Sequence, residues 1–362
     1  MAVITAISTT PVLAPLARPL KTASGHIERF PLVLIDLHTD AGVTGHAYAQ
    51  VYLPELLPAL QSVVMGLGQW LIGLELAPRD LYTKVLQRLR LWGAKNLVGA
   101  ALGGLDMAWW DAYARTRDEP LYATLGCTPR PLAVYMSAGM YDASGVVEVA
   151  EAALHAGYQA LKIKVGFTTF AEDLAVIRAA QRVLNGRALM IDYNQCLTPQ
   201  QARLRCRALD DEGLTWIEEP VAADDYLTHA ELAAMLTTPI QLGENFQNPD
   251  EMRKALAVRA MDYVMPDPQF IHGVSGWLEA AALAHSVQME CSSHLFPEAS
   301  SHLLCATPTA HYLEWLDVAS GLQSEPWPLV AGTMTPPARP GIGIEWDDGA
   351  VARHQVGAPT RC

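Results

Sequence analysis

Three acidic residues recur 26 positions apart, each closing a short apolar run: Asp192 in ALMIDYN, Glu218 in LTWIEEP and Glu244 in PIQLGEN. That interval fits one strand, one helix and two loops. If the runs are parallel strands of a barrel, the three carboxylates meet at one rim. Three hard oxygen ligands converging there suit Mg²⁺, with Mn²⁺ as the alternative. Other charged residues continue around the same rim. Lys162 and Lys164 lie two apart in ALKIKVG, and therefore on one face of a strand. Asn194 follows Asp192 by the same rule, whereas Glu219, beside Pro220, is expected to face away. Asp267 closes DYVMPD, His294 closes QMECSSH and Glu314 lies in HYLEW. One such residue is usually a solvated charge or a helix cap. Eight at the ends of consecutive strands are costly to bury unless a metal and a charged substrate neutralise them.

Two lysines beside three carboxylates, with no His-x-His pair, argue against a zinc hydrolase. They suit chemistry on a carboxylic acid. The metal and Lys162 would hold the substrate carboxylate while Lys164 takes a proton from the adjacent carbon. That proton becomes removable when the growing enolate charge falls on preplaced cations. Lys164 needs a lowered pKa to be a neutral base near pH 7, and neighbouring cations are expected to supply it. His294, its ring held by Asp267, is the candidate second base or acid. Glu314, if protonated, would donate a hydrogen bond to the intermediate.

The elements that must position these groups follow from periodicity. At 362 residues, 51% apolar and 17% charged, the chain can fill a large barrel core with a second unit beside it. The first 30 residues alternate apolar and polar. FPLVLIDLHTDAGVTGHAYA then reads as a hairpin turning at Asp40–Gly42. From Leu53 to about Leu125 the period becomes helical, so the first unit is α+β. From Leu132 the chain alternates strands and helices: LAVYMS, ALKIKVG, ALMIDYN, LTWIEEP, PIQLGEN, DYVMPD, QMECSSH and HYLEW give eight strands of a (β/α) barrel. No helix is evident after the eighth, and the Pro- and Gly-rich tail is expected to return to the first unit.

A net charge of −13 without a basic run excludes nucleic acid and an anionic membrane surface as partners. The six cysteines form no CxxC pair and no framework, which predicts reduced thiols in a cytoplasmic protein. MAVITAISTT has no signal-peptide pattern. The stretch from Val63 to Leu76 is punctuated by glycines and reads as a buried helix, not a membrane span. Trp109 and Trp110 are expected to pack in a core or subunit interface, His302 and His311 around strand eight. Cys291 reads as a buried thiol.

KIKVG, IDYNQ, WIEEP, LGEN, MPD, SSHLF and ATPTAHYLEWLD, in that order, resemble the mandelate racemase subgroup of the enolase superfamily. The resemblance runs from about Leu32 to about Trp346. It implies an α/β fold in which an α+β capping domain covers a (β/α)₇β modified TIM barrel. The corresponding division is 1–130 for the first part of the cap, 131–318 for the barrel and 319–362 for a segment completing the cap. It implies Asp192, Glu218 and Glu244 as Mg²⁺ ligands, Lys164 as base on one face of the substrate, and the His294–Asp267 dyad on the other. Glu314 would be the electrophilic acid and Lys162 a carboxylate partner. Ser137 and Asn194 match positions that contact substrate oxygens, and Leu20, Ile27 and Tyr52 match the loops closing over the substrate. The resemblance also implies a homo-oligomer, with an octamer among the forms it suggests.

Departures from the racemase fall near these positions. Phe270 and His272 replace a lysine and a glycine and are expected to alter how the dyad is held, while Gln50 replaces an aromatic residue and admits a more polar substrate. Two bases on opposite faces favour racemisation of a 2-hydroxy acid. The same residues could dehydrate an acid sugar to a 2-keto-3-deoxy product. A non-catalytic binding protein on this scaffold would lack a base or ligand, and none is missing.

Overall fold

The computed structural model describes residues 1–22, 25–325, 327 and 329–362. The alternating N-terminal residues form three antiparallel strands, β1 (Ile4–Thr22), β2 (Gly25–Thr39) and β3 (Thr44–Gln50). β3 pairs with β2 only from Leu32↔Gln50 to His38↔Thr44. The β1–β2 ribbon runs on past that edge, with Leu20 opposite Ile27. It is this projecting arm that reaches the barrel mouth. Helices α1 (Leu57–Gly68) and α3 (Asn96–Arg115) pack on the sheet, α2 (Pro78–Arg88) packs on α3, and the short α4 (Leu121–Thr124) leads to the barrel. Trp109 in α3 is fully buried, so it is core as expected.

The barrel strands are β4 (Leu132–Met140), β5 (Ala160–Lys164), β6 (Ala188–Asp192), β7 (Ile217–Glu218), β8 (Ile240–Leu242), β9 (Tyr263–Val264) and β10 (Tyr312–Trp315). β4 to β9 pair in parallel and in order. Cys291 bridges Val264 on one side and Ala310 on the other, and β10 pairs with β4, closing a ring of eight positions. Helices α5 (Gly145–His155), α6 (Phe170–Leu184), α7 (Pro199–Leu209), α8 (Tyr226–Met235), α9 (Pro249–Ala257), α10 (Gly273–Ser286) and α11 (Pro297–Cys305) follow the first seven positions. This is a (β/α)₇β barrel with an α+β cap. All five residues of β5 are buried, as a parallel strand covered on both faces requires. Tyr135, Ala160, Met190 and Trp216 fill the barrel below the rim.

Sequence signals set several helix starts. Thr169 with Glu172 and Thr198 with Gln201 form reciprocal capping boxes, each worth about 1 kcal/mol. In the tail, β11 (Thr333–Met334) lies antiparallel to β4, and β12 (Thr360–Arg361) pairs with β1. The intervening helix α12 (Asp348–His354) was not expected from the Pro- and Gly-rich pattern; Asp347 caps it by accepting from the Ala350 N–H. All six cysteines are free thiols. Among the described residues no helix is long and apolar enough to cross a membrane.

His302 is fully buried, with its hydrogen-bond partners in the cap and the tail instead of strand eight. Its Nδ1 accepts from the Tyr122 N–H, and its Nε2 lies 3.1 Å from the Ile342 carbonyl. Burial pushes its pKa down to about 3. The unfolded chain takes up a proton below about pH 6.5 that the folded ring refuses, so stability is full above that pH and declines as pH falls toward 3. By pH 4.5 the expected loss from this residue is about 2–3 kcal/mol. Urea titrations from pH 7 to 4.5 should show a steeper fall for wild type than for His302→Phe; parallel slopes would remove His302 as the cause.

Candidate active site

The barrel register brings the predicted residues to one depth. Lys164 is the Cα partner of Asp192, and Asp192 that of Glu218. With Glu244 just beyond β8, the three acids place carboxylate oxygens within 4.8 Å of one another, all buried. Asp192 Oδ1 accepts from the Asn194 N–H, while its Oδ2 meets Lys164 Nζ at 2.6 Å. Glu218 Oε1 meets Lys162 Nζ at 2.7 Å, and its Oε2 accepts from Trp216 Nε1. Burial, then repulsion from Asp192, Glu244 and Glu314, pushes Glu218 up to about 8 against the pull of Lys162. Asn194 Oδ1 is buried without a hydrogen-bond partner, and Glu244 Oε2, though approached by His294 Nε2 at 3.2 Å, makes no hydrogen bond either. Crowded carboxylates with spare buried acceptors are the donor set of a hard divalent cation, which would relieve the repulsion. The residues fit a metal site.

His294 and Asp267 form the expected pair. His294 Nδ1 lies 2.8 Å from Asp267 Oδ2, while the Gln269 and Phe270 N–H groups hold Asp267 Oδ1. His294 Nε2 therefore faces the carboxylates, 3.2 Å from Glu244 Oε2 and 3.8 Å from Glu314 Oε2. Burial opposes its protonation, but Glu244, Glu314 and Asp267 prevail and raise its pKa to about 10.

Two expectations about charge need correction. Burial is the largest influence on Lys164 and disfavours its charged form, yet Asp192 and Glu244 together overcome it and the net shift is upward, not downward. A cation sharing the Asp192 carboxylate would weaken that pull. Glu314 is ionised rather than a proton donor: despite burial, Lys162 and His294 hold it down to about 2, and its Oε2 accepts from the Leu295 N–H. Lys162 is fully buried between Glu218 and Glu314, 2.7 and 2.8 Å away, and is absent from the lining of the cavity above the rim.

A cavity of about 490 Å³ opens above this rim, within the ~300–1,000 Å³ usual for small-molecule sites. Lys164, Glu244, His294 and Glu314 lie in its floor, with Ser137 and Asn194 beside them. Leu20, Ile27, Tyr52, Leu53 and Leu316 supply its apolar side. Gln50 does not line the cavity. It is buried at the end of β3, where its backbone bonds the Gln269 side chain. His272 also departs from expectation: its Nε2 lies 2.7 Å from the Ala94 carbonyl in the cap, so the ring is turned away from the dyad.

Two family models match the chain. The mandelate racemase/muconate lactonizing enzyme N-terminal domain covers residues 4–126, and the enolase C-terminal domain-like model covers 145–350. The chain belongs to this family of the enolase superfamily. Among solved relatives, an enolase from Bradyrhizobium complexed with magnesium and mandelic acid is 41% identical, with a TM-score of 0.95, over 98% of this chain and 99% of that one. An L-talarate/galactarate dehydratase from Salmonella typhimurium is 30% identical over 74% of this chain and 69% of its own length. A D-galactarolactone cycloisomerase from Agrobacterium fabrum is 27% identical over 98% of this chain and all of its own. Like these relatives, this family member is an enzyme, and the spread of their reactions leaves its class to the site's own chemistry.

Several rim residues of this enolase-superfamily protein escaped the strand pattern. Gln195 and Asn245 line the cavity, and Glu219 is turned inward instead of away. Its φ of +37° swings the carboxylate onto Asn245 Nδ2, 2.7 Å away. Asn194, Gln195, Leu295 and Phe296 also sit at positive φ just past strand ends. Each such residue costs about 1 kcal/mol or more, so strain is concentrated at the rim. The signal available in the sequence was the pairing of Glu219 with a preceding acidic residue and a following proline, which marks an abrupt strand end.

Proposed function

We propose that this protein abstracts the α-proton of a small carboxylic acid, and that its reaction is racemisation of a 2-hydroxy acid with an apolar substituent. The observation carrying this reading is that Lys164 and His294 line one cavity from barrel positions two and seven, with the acidic triad beside them. Asp192, Glu218 and Glu244 would hold Mg²⁺, which supplies a Lewis acid for charge developing on the substrate carboxylate as the α-proton leaves. Lys164 exchanges a proton on one face. His294 exchanges one on the other through Nε2, the nitrogen that Asp267 leaves open. Asp267 fixes the ring and its tautomer. Lys162 balances the buried charges of Glu218 and Glu314, so its part is positioning. Ser137 and Asn194 offer polar atoms to substrate oxygens, while Leu20, Ile27 and Tyr52 cover the substituent and exclude water. The mandelic acid complex of the 41% identical Bradyrhizobium enolase supports that substrate class.

Dehydration of an acid sugar is the second reading. It is favoured by the raised pKa of His294, since an imidazolium can protonate a departing 3-hydroxyl, and by the L-talarate/galactarate dehydratase relative. A panel of 2-hydroxy acids and acid sugars incubated with enzyme and Mg²⁺ in D₂O, followed by NMR, separates the two. Racemisation is expected to appear as α-deuteration with the carbon skeleton intact. A 2-keto-3-deoxy acid as the main product would replace the first reading by the second.

A further inference from the structure

The loop carrying Asp267 is held from the cap as well as from the barrel. Gln269 is fully buried, and its backbone N–H donates to Asp267 Oδ1 at 2.7 Å. Its side-chain amide is spent on the backbone of Gln50: Oε1 accepts the Gln50 N–H at 2.6 Å, and Nε2 donates to the Gln50 carbonyl at 3.2 Å. The Gln269 backbone is also pressed against α3, where a Cβ on Gly103 would fall 2.0 Å from its carbonyl oxygen. Only glycine permits that approach. Two residues past Gln50 comes Tyr52, which lines the cavity. One side chain thus joins the strand end leading to a cavity wall with the residue that orients His294.

We propose that Gln269 is a positioning residue that sets the Asp267–His294 pair relative to the cap, so that proton transfer on the His294 face depends on the cap being seated. Among the described residues, no cap side chain bonds Lys164 or Asp192 in the same way. Lys164 stands on β5 and bonds Asp192 within the barrel. The proposal rests on the α-proton chemistry argued above and adds an asymmetry to it: the cap governs one base and not the other. An ordinary domain contact would affect stability and leave the two faces equal.

Gln269→Met keeps the length and removes both the acceptor and the donor. With each enantiomer of an acid that wild type deuterates in D₂O, α-exchange on the His294 face is expected to slow at least tenfold more than on the Lys164 face. That ratio does not depend on the fraction folded, so a destabilised variant still answers. Gln269→Glu retains the acceptor for the Gln50 N–H and should give an intermediate ratio. Independently of turnover, amide exchange in Gln269→Met should rise together in peptides covering 47–52 and 264–272. Equal losses on both faces, or unchanged protection in those peptides, would overturn the positioning role. If wild type deuterates no acid, the parent chemistry fails first, and this reading fails with it.

Discussion

His294→Asn is expected to lower racemisation at least a thousandfold while leaving α-exchange on the Lys164 face within about tenfold of wild type, since a positioned acid or base contributes roughly 10²–10⁴. The asparagine amide can still donate to Asp267 Oδ2, which now receives His294 Nδ1 at 2.8 Å. What disappears is Nε2, the atom 3.2 Å from Glu244 and turned toward the cavity. The variant therefore removes a proton site with little change in packing. Lys164 remains paired with Asp192 at 2.6 Å, within the barrel. Each enantiomer incubated in D₂O reports one face, so NMR of the α-position reads both bases separately. Loss of exchange from both enantiomers would sink the two-base mechanism.

The metal triad and both lysines were legible because each ends a short apolar run, and parallel pairing carries equal positions on neighbouring strands to equal depth. Strand alternation fails where the strand stops. β7 is only two residues long, so Glu219 obeys its own positive φ and turns in. Protonation states were less accessible. Lys164 and Glu314 are charged where the chemistry first suggested neutral forms, since the distances to Asp192 and Lys162 decide them. No periodicity discloses such distances. Cap-to-barrel contacts were the most hidden: Gln269 bonds Gln50 across 219 positions, and His272 reaches Ala94 across 178. Residue 50 therefore meets the barrel loop through its backbone in this fold, where the sequence suggested a side chain facing substrate.

Lys164→Ala should act in opposite directions on turnover and on metal binding. Exchange on its face is expected to fall at least a thousandfold, because no other basic nitrogen of the cavity floor stands at that barrel position. Mg²⁺ binding, by contrast, should tighten. The Lys164 ammonium holds Asp192 Oδ2 at 2.6 Å, where it competes with a cation for the same carboxylate, and Lys162 already places a second positive charge on Glu218. A hydrogen bond to a charged group is worth ~1.5–3 kcal/mol net, so freeing that oxygen should improve affinity by about tenfold or more. Calorimetric titration with Mg²⁺ measures this without any substrate. Excess EDTA should meanwhile abolish wild-type turnover, with Mg²⁺ restoring it. Weaker Mg²⁺ binding in the variant would mean that Lys164 orients Asp192 as a ligand instead of competing for it. A group needed only for structure would lose both properties together, whereas a base beside a cation must lose the first and improve the second.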